Sequence, residues 1–336
     1  MKKTLVLSLF QLFLIGCNLL ENNKTDFVYL NSSRSKPFTF SIFEDDNTYF
    51  SFAIISDLTG GEREGVFEKA IVNLNYINPK FTMSVGDLIE GGTRDFKIIE
   101  DQWFSFNKRL KKLDSPFFYV GGNHDLSSNE MKDFWEKNIG PTYYHFLYKD
   151  VLFLILNSED YSEERMEKIF QARESALKIS SGEIEGNFEE TDYFKMSERS
   201  YGDISFEQIE YFKKVLNKYK NVRWTFLFMH KPLWKNEKNK KFSQLEDLMK
   251  NRNYSIFNGH DHSFSTKIIN DQIYTTLSTT GGSQNSSNSN VFDQITLISM
   301  RDRPYTTHLK LNEILNYWSK LKFEVMDCDP ELADTN

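Results

Sequence analysis

Tyr254-Ser255-Ile256-Phe257-Asn258-Gly259-His260, YSIFNGH, is a short apolar run that stops at a histidine. His262 follows two positions on, in a chain that has only six histidines. A run this short and this rich in aromatic and β-branched side chains reads as a buried strand. Four other stretches repeat the pattern. Phe50-Ser51-Phe52-Ala53-Ile54-Ile55-Ser56 stops at Asp57, and Phe81-Thr82-Met83-Ser84-Val85-Gly86 stops at Asp87. Phe117-Phe118-Tyr119-Val120-Gly121-Gly122 stops at Asn123-His124, and Trp224-Thr225-Phe226-Leu227-Phe228-Met229 stops at His230.

Helical patterns lie between several of these runs. Val66 to Tyr76 carries apolar residues at Val66, Phe67, Ala70, Ile71 and Leu74, which is helical spacing. Ile98 to Leu113 is similar, and Ser205-Phe206-Glu207-Gln208 is a capping-box pattern opening a helix through Leu216. Alternating strand and helix predict an α/β fold with largely parallel core strands. In such sheets ligands gather beyond the carboxyl ends of the strands, where each terminating polar residue sits. One such residue is an ordinary loop residue; five, all with metal-capable side chains, make a site. After Gln272 the long helices stop. Ile273–Leu277, Phe292–Ser299 and Tyr305–Leu311 read as successive strands of a second sheet, and Ser278 to Asn290 reads as a flexible Gly/Ser/Asn connection.

Asp57, Asp87, Asn123, His230, His260 and His262 combine carboxylate, amide and imidazole. That donor set suits Mn, Fe or Zn, and the lack of thiolate excludes a Cys-rich structural zinc site. A central carboxylate can bridge two ions about 3.5–4 Å apart, an arrangement that holds both the attacking and leaving oxygens of a phosphoryl displacement.

The order of these residues resembles the calcineurin-like metallophosphoesterase family, whose pattern runs D-x-H, G-D, G-N-H-(D/E), H, then G-H-x-H. The counterparts are Asp57-Leu58-Thr59, Gly86-Asp87, Gly122-Asn123-His124-Asp125, His230 and Gly259-His260-Asp261-His262. The resemblance spans roughly residues 48–311. It implies a two-sheet β-sandwich flanked by α-helices, in α-β-β-α layers, and two divalent metal ions bridged by Asp87. It places Asn123, His230 and His260 on one ion, and Asp57 and His262 on the other. His124 would face the phosphate, Asp125 would orient His124 by a hydrogen bond, and a metal-bound hydroxide would be the nucleophile.

Thr59 stands where the family has histidine, and a neutral hydroxyl is a weaker ligand. Ligation by Thr59 and simple capping of the turn into Gly60-Gly61 are both open, and the Asp57–His262 site is expected to be the looser one. The Gly60-Gly61 turn leads toward a helix N-terminus, where anions are favoured. Arg63 beside it is a candidate phosphate clamp, with a plain exposed arginine as the alternative. The charged stretch Glu159 to Asp203 reads as an insertion, helical from Glu163 to Leu177. It is either a solvated decoration or a rim over the site. His145 and His308 lie in aromatic, strand-like contexts and read as structural.

The N-terminus, MKKTLVLSLFQLFLIGC, pairs Lys2 and Lys3 with an apolar run from Thr4 to Ile15. This is a secretory signal rather than a membrane span, which needs about 20 residues. Leu14-Ile15-Gly16-Cys17 resembles the bacterial lipobox, which implies cleavage before Cys17 and a lipid on its sulfur. Residues 1–16 are thus expected to be a signal peptide, and 17–40 a lipidated cysteine with a flexible tether. Residues 41–312 would form the phosphoesterase domain and 313–336 a C-terminal helix or tail. Cys328 is the other cysteine, so no intrachain disulfide is expected. Without the signal, 39 basic residues face 48 acidic ones, a net charge of −9. That balance excludes broad, phosphate-driven nucleic-acid binding.

The sequence therefore predicts a metal-dependent phosphoester hydrolase acting on a small phosphorylated substrate. It is expected outside the cytoplasm, on the cell envelope, anchored to membrane through Cys17. The alternative is a binding lipoprotein of the same fold that has lost catalysis.

Overall fold

The computed structural model describes residues 27–29, 35–40, 47–236, 240–284 and 289–311. One sheet runs in spatial order through β1 (Phe27–Val28), β5 (Tyr144–Tyr148), β6 (Val151–Ile155), β7 (Trp224–Phe228), β8 (Tyr254–Asn258), β10 (Gln272–Thr276) and β9 (Ser265–Ile269). The other runs through β12 (Pro304–Lys310), β11 (Gln294–Met300), β2 (Phe50–Ile55), β3 (Thr82–Ser84) and β4 (Phe117–Phe118). The middle of each sheet is parallel (β6-β7-β8-β10 and β2-β3-β4), and the outer pairings are antiparallel.

The two sheets pack face to face. In β2, Phe50, Phe52 and Ile54 point between the sheets, while Ala53 and Ile55 point outward. In β6, Val151, Phe153 and Ile155 point inward, and Leu152 and Leu154 outward. Both faces are covered, so these strands read as unbroken apolar runs rather than as polar alternation. Aromatic rings fill the interior: Phe52 meets Phe153 at 5.4 Å and Phe226 at 5.2 Å, and Phe118 stacks on Phe146 at 4.3 Å. Truncating a fully buried ring such as Phe52 to alanine costs about 3–5 kcal/mol.

Helices α1 (Val66–Ile77), α2 (Phe96–Leu110) and α3 (Asn129–Asn138) cover the outer face of the β2 sheet. Between α3 and the next cover come α4 (Glu163–Ser180), α5 (Asp192–Lys195) and α6 (Glu198–Tyr201), all within the charged insertion. Helices α7 (Phe206–Lys218) and α8 (Lys240–Met249) cover the β7 sheet. The order of layers is α-β-β-α. Side chains of Asp95, Ser128, Ser162 and Ser205 cap α2, α3, α4 and α7, each worth about 1 kcal/mol. At α7 only half of the expected capping box forms. Gln208 turns instead to Asn157 O and Asp160, and Asp160 accepts from Ser205 N at 3.0 Å.

Two expectations change, and a third falls outside what the structure describes. Residues 17–40 do not all serve as tether, because β1 pairs with β5 and Phe27 packs on Phe38, Phe118 and Phe146. Burying those rings outweighs the polar composition around them. Second, β10 joins the β7 sheet beside β8 and forms a hairpin with β9 that the sequence reading missed. The Asn270-Asp271 turn between them has φ 50° and 61°. Only β11 and β12 extend the β2 sheet. Third, residues 1–26 and 312–336, with the signal, Cys17 and the C-terminal tail, lie outside the described residues.

Candidate metal centre

The parallel strands of both sheets end at one rim of the sandwich, and the polar residues gather there. Asp57 and Asp87 follow β2 and β3; His230 and His260 follow β7 and β8. His230 Nε2 lies 3.1 Å from Asp87 Oδ2 and 3.1 Å from Asn123 Oδ1, joining the sheets. Asp57 Oδ1 accepts from His260 N at 3.0 Å and lies 3.3 Å from His262 Nε2. The His230 and His260 rings are 5.2 Å apart. Asp87, His260 and His262 have left-handed backbones, φ 55°, 74° and 49°. That conformation is sparsely populated outside glycine and costs of order 1–3 kcal/mol per residue. It turns the chain sharply just past each strand. Two glycines let backbone approach the carboxylates: a Cβ at Gly122 would sit 2.2 Å from Asp87 Oδ1, and one at Gly259 2.3 Å from Asp57 Oδ2.

Backbone carbonyls orient the imidazoles. His230 Nδ1 donates to Val85 O at 3.0 Å and His262 Nδ1 to Ser283 O at 2.7 Å, so each turns Nε2 to a carboxylate. His260 is held the other way round. Its Nε2 donates to Arg199 O at 2.8 Å, which leaves Nδ1 as the ligating nitrogen. Fixing the distal nitrogen in this way sets tautomer and ring direction for a metal ligand.

The electrostatics suit a cation site. Burial would raise Asp87, but His230 and then His124 outweigh it and hold its carboxyl well below the usual range. Burial would lower His230, yet the Asp87 charge and hydrogen bond push it up to about 9. His262 is likewise lowered by burial and pushed up to about 9 by Asp57. His260 is held well below its usual value by burial and by His230. Protons stand where the carboxylates call for positive charge.

Asp57, Asp87 and His262 offer ligand atoms that all lie within 4.8 Å of one another. Two buried carboxylates and an imidazole fit a divalent ion of the Mn, Fe or Zn kind. This is the set expected to be the looser of the two. Thr59 takes no part in it. Its buried hydroxyl is turned onto Asp87 O (3.1 Å) and Ile89 O (2.9 Å), so it braces the turn.

Two other expected roles are corrected. Asp125 does not orient His124. Its Oδ1 accepts from Leu88 N (2.9 Å) and Ile89 N (3.1 Å), and its Oδ2 from Gly122 N (2.8 Å). It ties the loops after β3 and β4 together, and burial, then Asp87, pushes it up to about 7. His124 Nδ1 instead meets Glu90 O at 2.6 Å. Arg63 is not a phosphate clamp. Its guanidinium forks onto Asp293 (2.9 and 2.5 Å), and Nε donates to Gly282 O at 2.9 Å. The anion held by the Gly60-Gly61 turn is the Glu90 carboxylate, which accepts from Gly60 N, Gly61 N and Glu62 N at 3.2, 3.1 and 2.9 Å.

Sequence reading missed Glu90, Ser283, Arg199 and Arg173. Ser283 and Arg199 act through backbone carbonyls, which carry no side-chain signal. Arg173 comes from α4, and its Nη2 lies 3.4 Å from His124 Nε2. The insertion thus reaches the site at two points rather than standing apart from it. His145 and His308 sit in β5 and β12, bonded to Tyr211 and Thr296 at 2.7 and 2.9 Å, away from the centre.

The calcineurin-like phosphoesterase family model matches residues 50–264, well over half of the chain. No curated protein sequence matches it. Solved structures share the fold at low identity. A dimetal phosphatase from Danio rerio is 14% identical, covering 78% of this chain and 96% of its own, with a TM-score of 0.50. PhoD is 10% identical, covering 84% and 70%, with a TM-score of 0.51. A purple acid phosphatase from yellow lupin seeds (Lupinus luteus) is 13% identical, with a TM-score of 0.50; the match covers 79% of this chain and 52% of that one.

Proposed function

The chain belongs to the calcineurin-like phosphoesterase family, and from that premise we propose that it hydrolyses small phosphoesters outside the cytoplasm, with two divalent ions. Asp57, Asp87 and His262 would hold one ion; Asn123, His230 and His260, sharing Asp87, would hold the other. The observation that carries this reading is the convergence of two buried carboxylates and imidazoles whose distal nitrogens are pinned by backbone carbonyls. Bound there, divalent ions supply Lewis acidity toward phosphoryl oxygens and activate water.

The chain's own residues do the rest. Asp87 neutralises charge between the two sets. His124, its Nδ1 tied to Glu90 O, presents Nε2 to the reacting group. Burial, helped by Arg173, holds this imidazole below its ordinary value against the pull of Asp87. A bound phosphoryl anion raises its proton affinity, which suits it to protonate the leaving oxygen. For location, Leu14-Ile15-Gly16-Cys17 supports a lipid anchor on Cys17 at the cell envelope. No helix among the described residues is long and apolar enough to cross a membrane.

The test is metal content by elemental analysis of protein beginning after Cys17, beside its His260→Ala variant, with turnover of phosphomonoester and phosphodiester substrates on the same samples. About two ions per chain, lost together with turnover in the variant, is the expected result. No metal and no turnover after reconstitution with Mn, Fe or Zn would overturn it, and leave a binding lipoprotein of this fold. Labelled fatty acid failing to reach the full-length chain, or reaching a Cys17→Ala variant equally, would overturn the anchor.

A further inference from the structure

We propose that Arg173, supplied by the insertion helix α4, grips a phosphoryl oxygen of the substrate and selects monoesters over diesters; this rests on the phosphoesterase reading above. His124 Nδ1 is committed to Glu90 O, so Nε2 is the ring nitrogen left to face the site. A Cβ at Gly60 would lie 3.5 Å from that Nε2 and 3.3 Å from His262 Cε1, so both rings border one space beside the ligand cluster. Arg173 Nη2 reaches the same nitrogen at 3.4 Å. Arg173 also lines an open groove of about 260 Å³ with Phe170, Lys178 and the carboxylates Glu174 and Glu183; Glu174 pairs with Lys178 at 3.7 Å rather than with Arg173.

The cations beside the ligand residues are already engaged. Arg63 is forked onto Asp293, and Lys231 is buried against Glu159 at 2.8 Å. Lys235 pairs with Asp261, and the Arg199 guanidinium lies 4.7 Å from the Phe194 ring. Among the described residues, no carboxylate lies within ion-pair reach of Arg173. At 3.4 Å the contact with His124 is long, and it leaves the other guanidinium donors of Arg173 for a ligand. A planar guanidinium suits phosphoryl oxygens. A monoester presents three terminal oxygens and a diester two. Were two taken up by ions held on the ligand residues, a third would remain for Arg173 only in the monoester.

The experiment titrates inorganic phosphate calorimetrically into metal-loaded wild-type, Arg173→Lys and Arg173→Met protein, with metal content measured on each sample. Turnover of p-nitrophenyl phosphate and bis-p-nitrophenyl phosphate is read in parallel. Losing a charged hydrogen bond should weaken phosphate binding about 10- to 100-fold in Arg173→Met, with metal unchanged and Arg173→Lys intermediate. Monoester kcat/KM should fall about as far, and diester kcat/KM by less than about threefold. Unchanged phosphate affinity in Arg173→Met would overturn the contact, and equal losses on both esters would overturn the selectivity. If wild-type protein hydrolyses neither ester, the phosphoesterase reading fails, while loss of phosphate binding in Arg173→Met would still establish the anion contact.

Discussion

Arg63 and Arg173 enter the same neighbourhood from very different parts of the chain. Arg63 stands six residues after Asp57, beside the Gly60-Gly61 turn and ahead of α1, where a phosphate clamp would be sought. Arg173 lies in the middle of a charged insertion. Yet Arg63 is consumed by Asp293, a carboxylate whose side chain is only 2% exposed, and Arg173 faces His124. The turn beside Arg63 is likewise filled, by Glu90. Closeness in sequence to a ligand says little about closeness in function, because a buried carboxylate far along the chain recruits whichever cation can reach it. Leaving such a carboxylate unpaired would cost several kcal/mol.

The comparison presupposes the ions, so the largest effect should come from Asp87→Asn. Removing the shared carboxylate should abolish metal retention by elemental analysis and lower turnover by about 10³-fold or more. Retained metal would mean that neither arginine borders a metal centre built on Asp87. Next comes Arg63→Met. It should destabilise the protein by about 2–3 kcal/mol, less than a fully buried pair because Arg63 is 37% exposed. With saturating metal at 25 °C, turnover should stay within about threefold. A stable Arg63→Met protein with weakened phosphate binding would reverse the assignment of the two arginines.

The pH dependence separates the metal-free from the loaded state. His230 and His262 are pushed up to about 9 by Asp87 and Asp57, well above the ordinary value near 6.5. Their pairs therefore stabilise the metal-free chain fully below pH about 6.5, and that contribution is lost as pH rises through about 9. In chelator, Tm should fall between pH 7 and 10. With metal present the ions replace those protons, so apparent affinity should rise roughly tenfold per pH unit for each proton displaced. A chelator Tm flat over that range would refute the ion pairs. The smallest effect belongs to Thr59→Val. It should cost about 1–2 kcal/mol for the two backbone contacts and leave metal stoichiometry unchanged. Loss of one ion would make Thr59 a ligand instead of a brace.

Much of the centre was legible before any coordinates. A short apolar run followed by a lone Asp or His marks where a buried strand leaves the core, and parallel strands leave at one rim. That physics brought Asp57, Asp87, Asn123, His230 and His260 together by position alone. The family pattern supplied the pairing, and in the structure Asp87 meets His230 and Asp57 meets His262. Asp125 misled because its neighbour in sequence is His124. In space its oxygens satisfy three backbone N–H groups that would otherwise be buried unpaired.

By itself, then, the sequence determined the alternation of strands and helices and the side chains at the strand ends, because hydrophobic period and strand length are local properties. Only tertiary structure decided which nitrogen of each histidine faces the centre, which carboxylate takes Arg63, and that an insertion over 100 residues downstream of Asp57 delivers Arg173. Those outcomes depend on carbonyls and charges from distant segments competing for the same donors in a buried space, and no local pattern encodes that competition.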